Sequence, residues 1–324
     1  MTNSKMTKIK KKTLMFILLF LTTYQPSHLC FAAFQDMGWG ARPLGMGGAF
    51  VAISDDVNAS WWNPAGLDQL ESREAGFMYA KPYMGLEGLD WGLLYLSYAH
   101  PVKQNRVGVF GINLTSFKTG SLYQESTFSF SYAWRMGRTL HGGANIKYLY
   151  HRYNWDEGMK ALDDPVVNSG SSRGNLSIDL GALYRPGRTA WGLSLKNINQ
   201  PDVGLYYKDL VPRELRAGVA HHIGDVRAME DVVVAFDASY RNQAWAKENR
   251  ITLFLGAESW FRFHTIGLRA GMNLSGLRPN ELTFGISLSR AVGVFSLGLD
   301  WSLAWPLNIG DHLGTHRVST GVRF

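Results

Sequence analysis

The sequence predicts an all-β protein, a transmembrane antiparallel β-barrel of about 14 strands, on three observations. From about residue 74 to the last residue, apolar side chains recur at every second position, the period of a strand with two different faces. The chain is 13% aromatic and only 18% charged, which excludes a disordered protein. The longest apolar run, Leu14–Leu21, is far shorter than the roughly 20 residues of a membrane-spanning helix, which excludes a helical membrane protein.

Residues 1–33 are typical of a secretory signal peptide. Five lysines lie within the first twelve residues, the apolar run follows them, and the segment ends in small residues. Most of the net charge of +7 comes from those lysines, so the charge indicates no nucleic-acid partner. Cys30, the only cysteine, would leave with the signal, so we expect neither disulfides nor a cysteine metal site. The predicted location is the outer membrane of a bacterial cell.

Fourteen alternating segments follow residue 73. They are 74–81, 91–102, 105–117, 126–136, 140–154, 175–186, 189–198, 214–223, 231–240, 250–261, 265–274, 281–290, 295–306 and 315–324. The odd-numbered connections are long (82–90, 118–125, 155–174, 199–213, 241–249, 275–280, 307–314), and the even-numbered ones are mostly short, 224–230 being the longest of them. An even strand count with long loops on one side and tight turns on the other is typical of an outer-membrane barrel, which must close because lipid cannot satisfy backbone groups.

A soluble β-sandwich or propeller also alternates. The export signal, the length of the segments and the aromatic residues at their ends, such as Trp134 and Tyr184, favour the membrane barrel. The last segment ends on Phe324, which resembles the insertion signal that the outer-membrane assembly machinery recognises. Outer-membrane lipid and that machinery are therefore expected partners.

If the apolar face contacts lipid, the other face lines the lumen. The charged candidates on that face are Lys147, Asp179, Arg185, Arg216, Asp237, Glu258, Arg269 and Asp300. Both signs are interspersed, so no strong ion selectivity follows. The simpler interpretation is a wetted wall braced by ion pairs.

Residues 34–73 do not alternate and form a third region, between the signal (1–33) and the barrel (74–324). They are rich in glycine and contain turn signals at Asp55-Asp56 and Asn63-Pro64. About forty residues suffice to fill the bore of a barrel of this size. We therefore predict an N-terminal hatch or plug in the lumen, which disfavours a general porin.

The stretch from Arg42 to Leu67 resembles the N-terminal hatch of the FadL/TodX superfamily and looks closest to its PorV/PorQ-like branch. The matching positions are Gly45, Gly47, Gly48, Ala49, Ala52, Asp55, Asp56, Asn63, Pro64 and Ala65. The resemblance implies a fourteen-stranded barrel with an N-terminal hatch. In FadL-type members hydrophobic substrates such as long-chain fatty acids meet the hatch and leave laterally through the wall, whereas PorV/PorQ-type members serve protein secretion and surface attachment.

The predicted function is passive transport of a hydrophobic, fatty-acid-like small molecule across the outer membrane. The alternative is a PorV/PorQ-like component of protein secretion or surface attachment, with secretion-system proteins as partners, and a purely structural barrel is the third reading. Gly45, Gly47, Gly48, Asp55, Asp56, Asn63, Pro64 and Ala65 are the candidate hatch or gating residues. The same residues could form a gate that a ligand displaces or a static plug.

Catalytic patterns in the sequence are weak. The run 170–174 fits G-x-S-x-G but no helix is predicted after it, as a nucleophile elbow requires. His221 and His222 are adjacent on a strand and point to opposite faces, so they do not suit one metal ion. Asp55 and Asp56 could form an acid/base pair, although their glycine-rich surroundings favour a turn. We therefore expect no enzyme, no metal and no cofactor.

Overall fold

In the computed structural model the described residues are 33–102, 107–161, 163–242, 250–276 and 279–324. Almost all of the predicted signal peptide lies outside them. In the described part, fourteen strands form a closed barrel, each antiparallel to its neighbours in sequence, and β1 pairs with β14 to close the ring. The strands are β1 (Glu74–Lys81), β2 (Trp91–Val102), β3 (Gly108–Thr119), β4 (Tyr123–Arg135), β5 (Leu140–Tyr153), β6 (Ser172–Tyr184), β7 (Thr189–Lys196), β8 (Arg213–Val226), β9 (Met229–Asn242), β10 (Arg250–Phe261), β11 (Ile266–Ser275), β12 (Glu281–Val292), β13 (Phe295–Pro306) and β14 (Thr315–Arg323).

The alternation in the sequence decides which face of each strand points outward. In β4, Ser129 and Ser131 are buried while Phe128 and Phe130 are exposed. Successive side chains of a strand point to opposite faces, so this strand presents aromatic rings outside the barrel and hydroxyls inside it. An apolar outer face with a polar interior is the arrangement of a barrel that stands in lipid.

The connections define two ends of the barrel. The short-turn end, where β1 begins and β14 ends, carries 136–139, 185–188, 227–228, 262–265 and 293–294. The long-loop end carries the longer connections, and the one between β5 and β6 contains two short helices, which we number below. Among the described residues no helix is long and apolar enough to span a membrane.

Two predicted connections were wrong in length. The long loop expected over 118–125 is a turn of residues 120–122, because β3 and β4 stay paired out to Thr119 and Tyr123. The connection expected over 224–230 shrinks to 227–228, because β8 and β9 extend past the predicted ends with two irregularities in their pairing. In both cases the polar residues that suggested a loop lie on strand faces.

Residues 34–73, called the N-terminal segment from here on, fold into short helices. They are α1 (Ala41–Gly45), α2 (Ala59–Trp62) and a 3-10 helix (Pro64–Gln69), and the two helices between β5 and β6 are α3 (Glu157–Lys160) and α4 (Pro165–Asn168).

The N-terminal segment contacts strands on different sides of the ring. The Ala41 N–H donates to Ser319 Oγ of β14 (2.9 Å), and the Phe50 N–H donates to Asp237 Oδ2 of β9 (2.9 Å). The Nδ2 of Asn63 donates to the carbonyl of Ala182 in β6 (3.0 Å). Since these strands are far apart around a closed barrel and the contacted side chains are buried, the segment lies within the ring of strands.

Apolar contacts join the segment to the wall in two clusters. One groups Phe50, Ile53 and Trp62 of the segment with Ala220 and Phe254 of the barrel. The second groups Val57, Ala59, Leu67 and Leu70 with Ala99, Val109 and Ala133. Fully burying one large apolar side chain contributes about 1.5–3 kcal/mol, so the two clusters favour the segment inside the barrel.

Candidate functional site

Inward-facing glycines of the wall make room for the backbone of the N-terminal segment. A Cβ atom on Gly143 of β5 would lie less than 3.0 Å from the backbone of Pro64 and Ala65, and one on Gly271 of β11 would meet Gly47 at a similar distance. The same overlap with the backbone would occur at Gly192 and Gly256, and a Cβ on Gly181 would overlap the side chain of Asn63. A missing Cβ allows this close backbone approach.

Residues 45–48 lie against this glycine surface in a conformation that glycine favours. Gly47 and Gly48 have φ angles of 67° and 86°, which L-residues adopt at a cost. The Gly45 carbonyl accepts a hydrogen bond from Thr283 Oγ1 of β12 (3.1 Å), and the Gly48 carbonyl accepts one from Arg216 Nη1 of β8 (3.3 Å). The predicted hatch glycines therefore lie at the contact between segment and wall.

Arg42 is the centre of an ion-pair network at this contact. Its Nη1 lies 2.5 Å from Asp55 Oδ1 and 2.8 Å from Asp56 Oδ2, and its Nη2 lies 2.7 Å from Glu258 Oε1 of β10. Glu258 in turn pairs with Arg269 of β11. One arginine thus joins the acidic turn of the segment to the wall.

The pKa values of the segment's own groups follow from this pairing. Burial would lower the pKa of Arg42, but the negative charges of Asp55 and Glu258 outweigh burial and raise it well above its usual value. Burial would raise the pKa of Asp55, but the Arg42 guanidinium outweighs burial and lowers it. Both groups therefore stay charged at neutral pH.

Asn63 and Asp237 satisfy buried backbone groups of the segment. Asn63 is fully buried; its Nδ2 donates to the Val51 carbonyl (2.9 Å) and its Oδ1 accepts from the Ala65 N–H (3.2 Å). Asp237 Oδ2 accepts the N–H groups of Phe50 and Val51, each at 2.9 Å. A buried unpaired N–H is costly, so these side chains fix the path of the chain between Phe50 and Ala65.

The other predicted lumen residues lie on the inner face in most cases. Lys147 and Asp179 form a buried ion pair (2.7 Å), and Asp300 lies near Arg269 (3.5 Å). Arg185 is a correction: β6 ends at Tyr184 and Arg185 opens the turn 185–188. Pro186 follows it and cannot donate to the ladder, which accounts for the strand ending there.

The N-terminal segment separates two cavities in the lumen. The polar chamber, on the short-turn side, has a volume of about 290 Å³ and is lined by Arg42, Asp55, Glu258, Arg269 and Asp300 among others. The cavity on the long-loop side has a volume of about 40 Å³. This smaller cavity is lined by charged side chains (Lys147, Lys196, Arg241, Asp36, Glu125 and Glu214) and by apolar ones (Phe34, Trp39, Trp61, Phe117 and Leu149).

An apolar depression of about 460 Å³ lies on the outer face of β1–β4 and β14. Phe77, Leu96 and Phe128 are among the residues that line it. Six residues line both this depression and the polar chamber: Ala75, Gly76, Phe77, Ser97, Thr320 and Val322. The two spaces are therefore separated at this point by the thickness of the wall at β1, β2 and β14.

Arg42 engages both members of the acidic pair. Asp55 and Asp56 both accept hydrogen bonds from Arg42. Within the described ranges, no group of three or more His, Cys, Asp and Glu side chains could hold a metal ion. Phe324 follows β14 and forms backbone hydrogen bonds with Arg73, and its role in assembly stays a prediction.

Sequence reasoning missed Arg42 as a site residue. Arg42 is the only basic residue between positions 34 and 72, and an acidic pair follows it at Asp55 and Asp56. A lone charge in a segment expected inside a barrel needs opposite charges around it. That signal points to Arg42, whereas Glu258 could be chosen as its partner only once the path of the segment was known.

The closed ring of fourteen strands and the lipid-facing exterior define an outer-membrane β-barrel. Its fold is similar to that of the toluene transporter TodX of Pseudomonas putida, with a TM-score of 0.58 at 13% identity over 90% of this chain and 99% of that one. A TodX monoaromatic hydrocarbon channel mutant gives 0.63 at 14% identity over 89% and 99%. A FadL homologue of Pseudomonas aeruginosa gives 0.59 at 12% identity over 88% and 98%. At these identities the likeness shows the fold alone.

The sequence model of the family described as type IX secretion system membrane protein PorP/SprF matches residues 57–302. The chain therefore belongs to the PorP/SprF family. No curated protein sequence matches the chain. The match supports an outer-membrane barrel family with a secretion context, and the predicted likeness to a PorV/PorQ-like branch stays a prediction.

Proposed function

We propose that this outer-membrane barrel is a component of type IX protein secretion that holds other proteins of the system at the outer membrane. This is the alternative of the sequence analysis, and it now takes precedence over passive transport. Membership of the PorP/SprF family supports it. The observation that carries it is the filling of the lumen. The N-terminal segment occupies the lumen and leaves a cavity of about 40 Å³ on its long-loop side.

The long-loop side of the segment is a poor site for a hydrophobic molecule. Its cavity of about 40 Å³ is far below the roughly 300–1,000 Å³ of small-molecule sites. Lysine, arginine and carboxylate side chains line it beside aromatic ones, and an apolar ligand would desolvate the charged groups without replacing their hydrogen bonds. A fatty-acid-like molecule that reaches this cavity would find less room than it needs.

The strand ladder supports the same proposal. Every strand pairs with both neighbours, including β1 with β14. The interruptions in register, at Glu258/Trp260 and around Gly224, lie towards the short-turn end.

We also propose that the chain is not an enzyme, since its acidic pair serves as a partner of Arg42.

Passive transport of a hydrophobic molecule is the second candidate, and the apolar depression favours it. Only the wall around β1 separates that depression from the polar chamber, and its shared lining includes Gly76 and Ser97, so a local change in β1 would join the two spaces. The fold of the hydrocarbon channels adds support at the level of architecture. In this case the ligand would pass through the wall beside Gly76.

Two steps separate the two functions. The gene is removed from the bacterium of origin, and then either the wild-type gene or the Gly298→Ala gene is returned. We expect surface and culture-medium levels of type IX exported proteins to fall without the gene, while uptake of a labelled long-chain fatty acid stays unchanged. The Gly298→Ala variant is the matched control, because a Cβ there meets nothing closer than 3.9 Å. Normal export together with reduced fatty-acid uptake would reverse the order of the two candidates.

A further inference from the structure

The short-turn end of the barrel carries an excess of exposed arginine. In the part of the chain that the structure describes, six exposed arginines at this end have no carboxylate within ion-pair distance, and we call them the arginine collar. They are Arg73, Arg138, Arg188, Arg227, Arg262 and Arg290. Exposed acids at this end are fewer, namely Glu71, Asp225 and Asp231. Unpaired exposed guanidinium groups around one rim create a positive potential there.

The long-loop end lacks this excess. Acidic and basic side chains are both exposed on its described loops and strand ends, among them Glu87, Asp90, Asp156, Lys81, Lys118 and Arg173. The positive potential is therefore a property of one end of the barrel. In outer-membrane barrels the short turns face the periplasm.

The turn between β10 and β11 adds an apolar feature to the collar. Arg262, Phe263 and His264 have φ angles of 54°, 57° and 58°, a left-handed conformation that is unfavourable for each of them. Glu230 holds it: its two carboxylate oxygens accept the N–H groups of Phe263 and His264, each at 2.8 Å. The turn displays Phe263 with its side chain 96% exposed.

The turn between β10 and β11 lies next to the polar chamber. His264 stacks on Trp260 with 6.0 Å between ring centroids, and both residues line the polar chamber. The turn that displays Phe263 therefore borders the polar chamber at the short-turn end. An aromatic side chain beside arginines, held in a fixed turn, is the composition of a protein–protein hot spot.

We propose that the arginine collar and Phe263 form a docking surface for an acidic protein on the periplasmic side, with Phe263 as the anchor. The inference rests on the proposed secretion function, which supplies a reason for a protein partner at this end. The partner presents carboxylates to the collar and an apolar pocket to Phe263. The collar sets the orientation and speed of docking, and Phe263 supplies the bound lifetime.

Photo-crosslinking in cells tests the surface with the full-length chain. A photoreactive benzoyl-phenylalanine replaces Phe263, and the protein adduct is identified by mass spectrometry. The test variant combines Arg138→Gln, Arg227→Gln and Arg262→Gln. The matched control combines Arg152→Gln, Arg173→Gln and Lys208→Gln, three exposed charges at the long-loop end. We expect roughly a tenfold loss of a single acidic-protein adduct in the test variant and none in the control.

Three results would overturn the inference: no protein adduct, an adduct that survives in the test variant, or an equal loss in the control. A lipid role for the collar is measured in parallel, as retention of the purified barrel on phosphatidylglycerol vesicles compared with phosphatidylcholine vesicles. If the test variant changes only that retention, the collar binds headgroups and the docking inference fails. If export falls without the gene but the adduct is unchanged in the test variant, the docking inference alone fails. If the adduct is lost in the test variant but export is unchanged without the gene, the secretion function fails.

Discussion

The N-terminal segment meets two different walls inside one barrel. On the charged wall, consecutive strands β8 to β11 present Arg216, Asp237, Glu258 and Arg269, and the first three bind the segment directly. On the neutral wall, β2 to β4 present Ser97, Asn113, Ser129 and Ser131. Both side-chain atoms of Asn113 and the hydroxyls of Ser129 and Ser131 are buried without a hydrogen-bond partner.

The difference shows where the segment is held. Hydrogen bonds and an ion pair hold it on the charged wall, whereas Val57, Ala59 and Leu67 rest on the neutral residues of β2 to β4 through apolar contacts. The ends of β4 add two polar contacts of their own: Arg135 pairs with Asp68, and Glu125 accepts the N–H of Phe34. A polar-to-apolar substitution should therefore be costly on the charged wall and nearly neutral at the unpaired hydroxyls of the neutral wall. Loss of a satisfied buried charge is costly, and loss of an unsatisfied hydroxyl is not.

The largest effect is expected from filling the glycine surface that receives the backbone of the segment. A Gly271→Val substitution places side-chain atoms where the Gly47 backbone lies, and β11 cannot move away without breaking the ladder. We expect little or no folded barrel, measured as the fraction that migrates as the compact form on gels without heating. The inward-facing Gly298→Ala control should fold normally.

The next effect is expected at Glu258 on the charged wall. A Glu258→Gln substitution removes the charge shared by Arg42 and Arg269, both nearly excluded from solvent. Breaking such a buried pair costs about 3–5 kcal/mol, so the unfolding transition in denaturant should shift by that amount. A shift below about 1 kcal/mol would mean that water screens this network.

A smaller loss is expected at Asp237. Asp237→Ala leaves the N–H groups of Phe50 and Val51 without their acceptor. Each buried unpaired group costs about 1–3 kcal/mol, and we expect about 3 kcal/mol in total from denaturant unfolding. Asp237→Asn keeps one acceptor oxygen and should lose clearly less. Equal losses in the two variants would argue against the backbone hydrogen bonds as the cause.

The attachment of the acidic turn should weaken in acid. Arg42 lowers the pKa of Asp55, so the stabilisation is complete above the unfolded value of about 3.9 and is lost as the pH falls through the lowered value. Hydrogen exchange of residues 41–58 should accelerate in that range. In Asp55→Asn this step should disappear, and a step that persists would assign it to another group.

The smallest effect is expected on the neutral wall. Ser131→Ala removes a buried hydroxyl that has no partner, so stability should change by less than about 0.5 kcal/mol. The same denaturant measurement applies. A loss comparable to that of Asp237→Ala would erase the distinction between the two walls.

The barrel was predictable because its signal is local. Alternation of side chains needs only neighbouring residues, and the predicted bounds of β1, β2, β10 and β13 agree with the structure. Where polar residues occupy both faces, as between β3 and β4, the pattern fails and the turn 120–122 was expected to be longer. Closure of the ring adds pairings between residues far apart in sequence, such as Glu74 with Arg323.

The site was predictable only in part. Alternation placed Asp237, Glu258 and Arg269 on the inner face, and the resemblance to the FadL/TodX hatch selected Asn63. Their partners depend on the three-dimensional path of the segment: Glu258 lies 216 residues from Arg42. The arginine collar was hidden because its members are spread over separate turns, and only the barrel brings those turns to one rim.

Native mass spectrometry of the complex released gently from its own outer membrane tests the central claim, that the segment-filled barrel holds proteins and does not carry a hydrophobic molecule. We expect a barrel bound to larger protein subunits and free of any small apolar mass. A one-to-one apolar ligand, lost when Asp55 and Asn63 are replaced, with no protein subunit bound, would contradict the claim and establish the transport function.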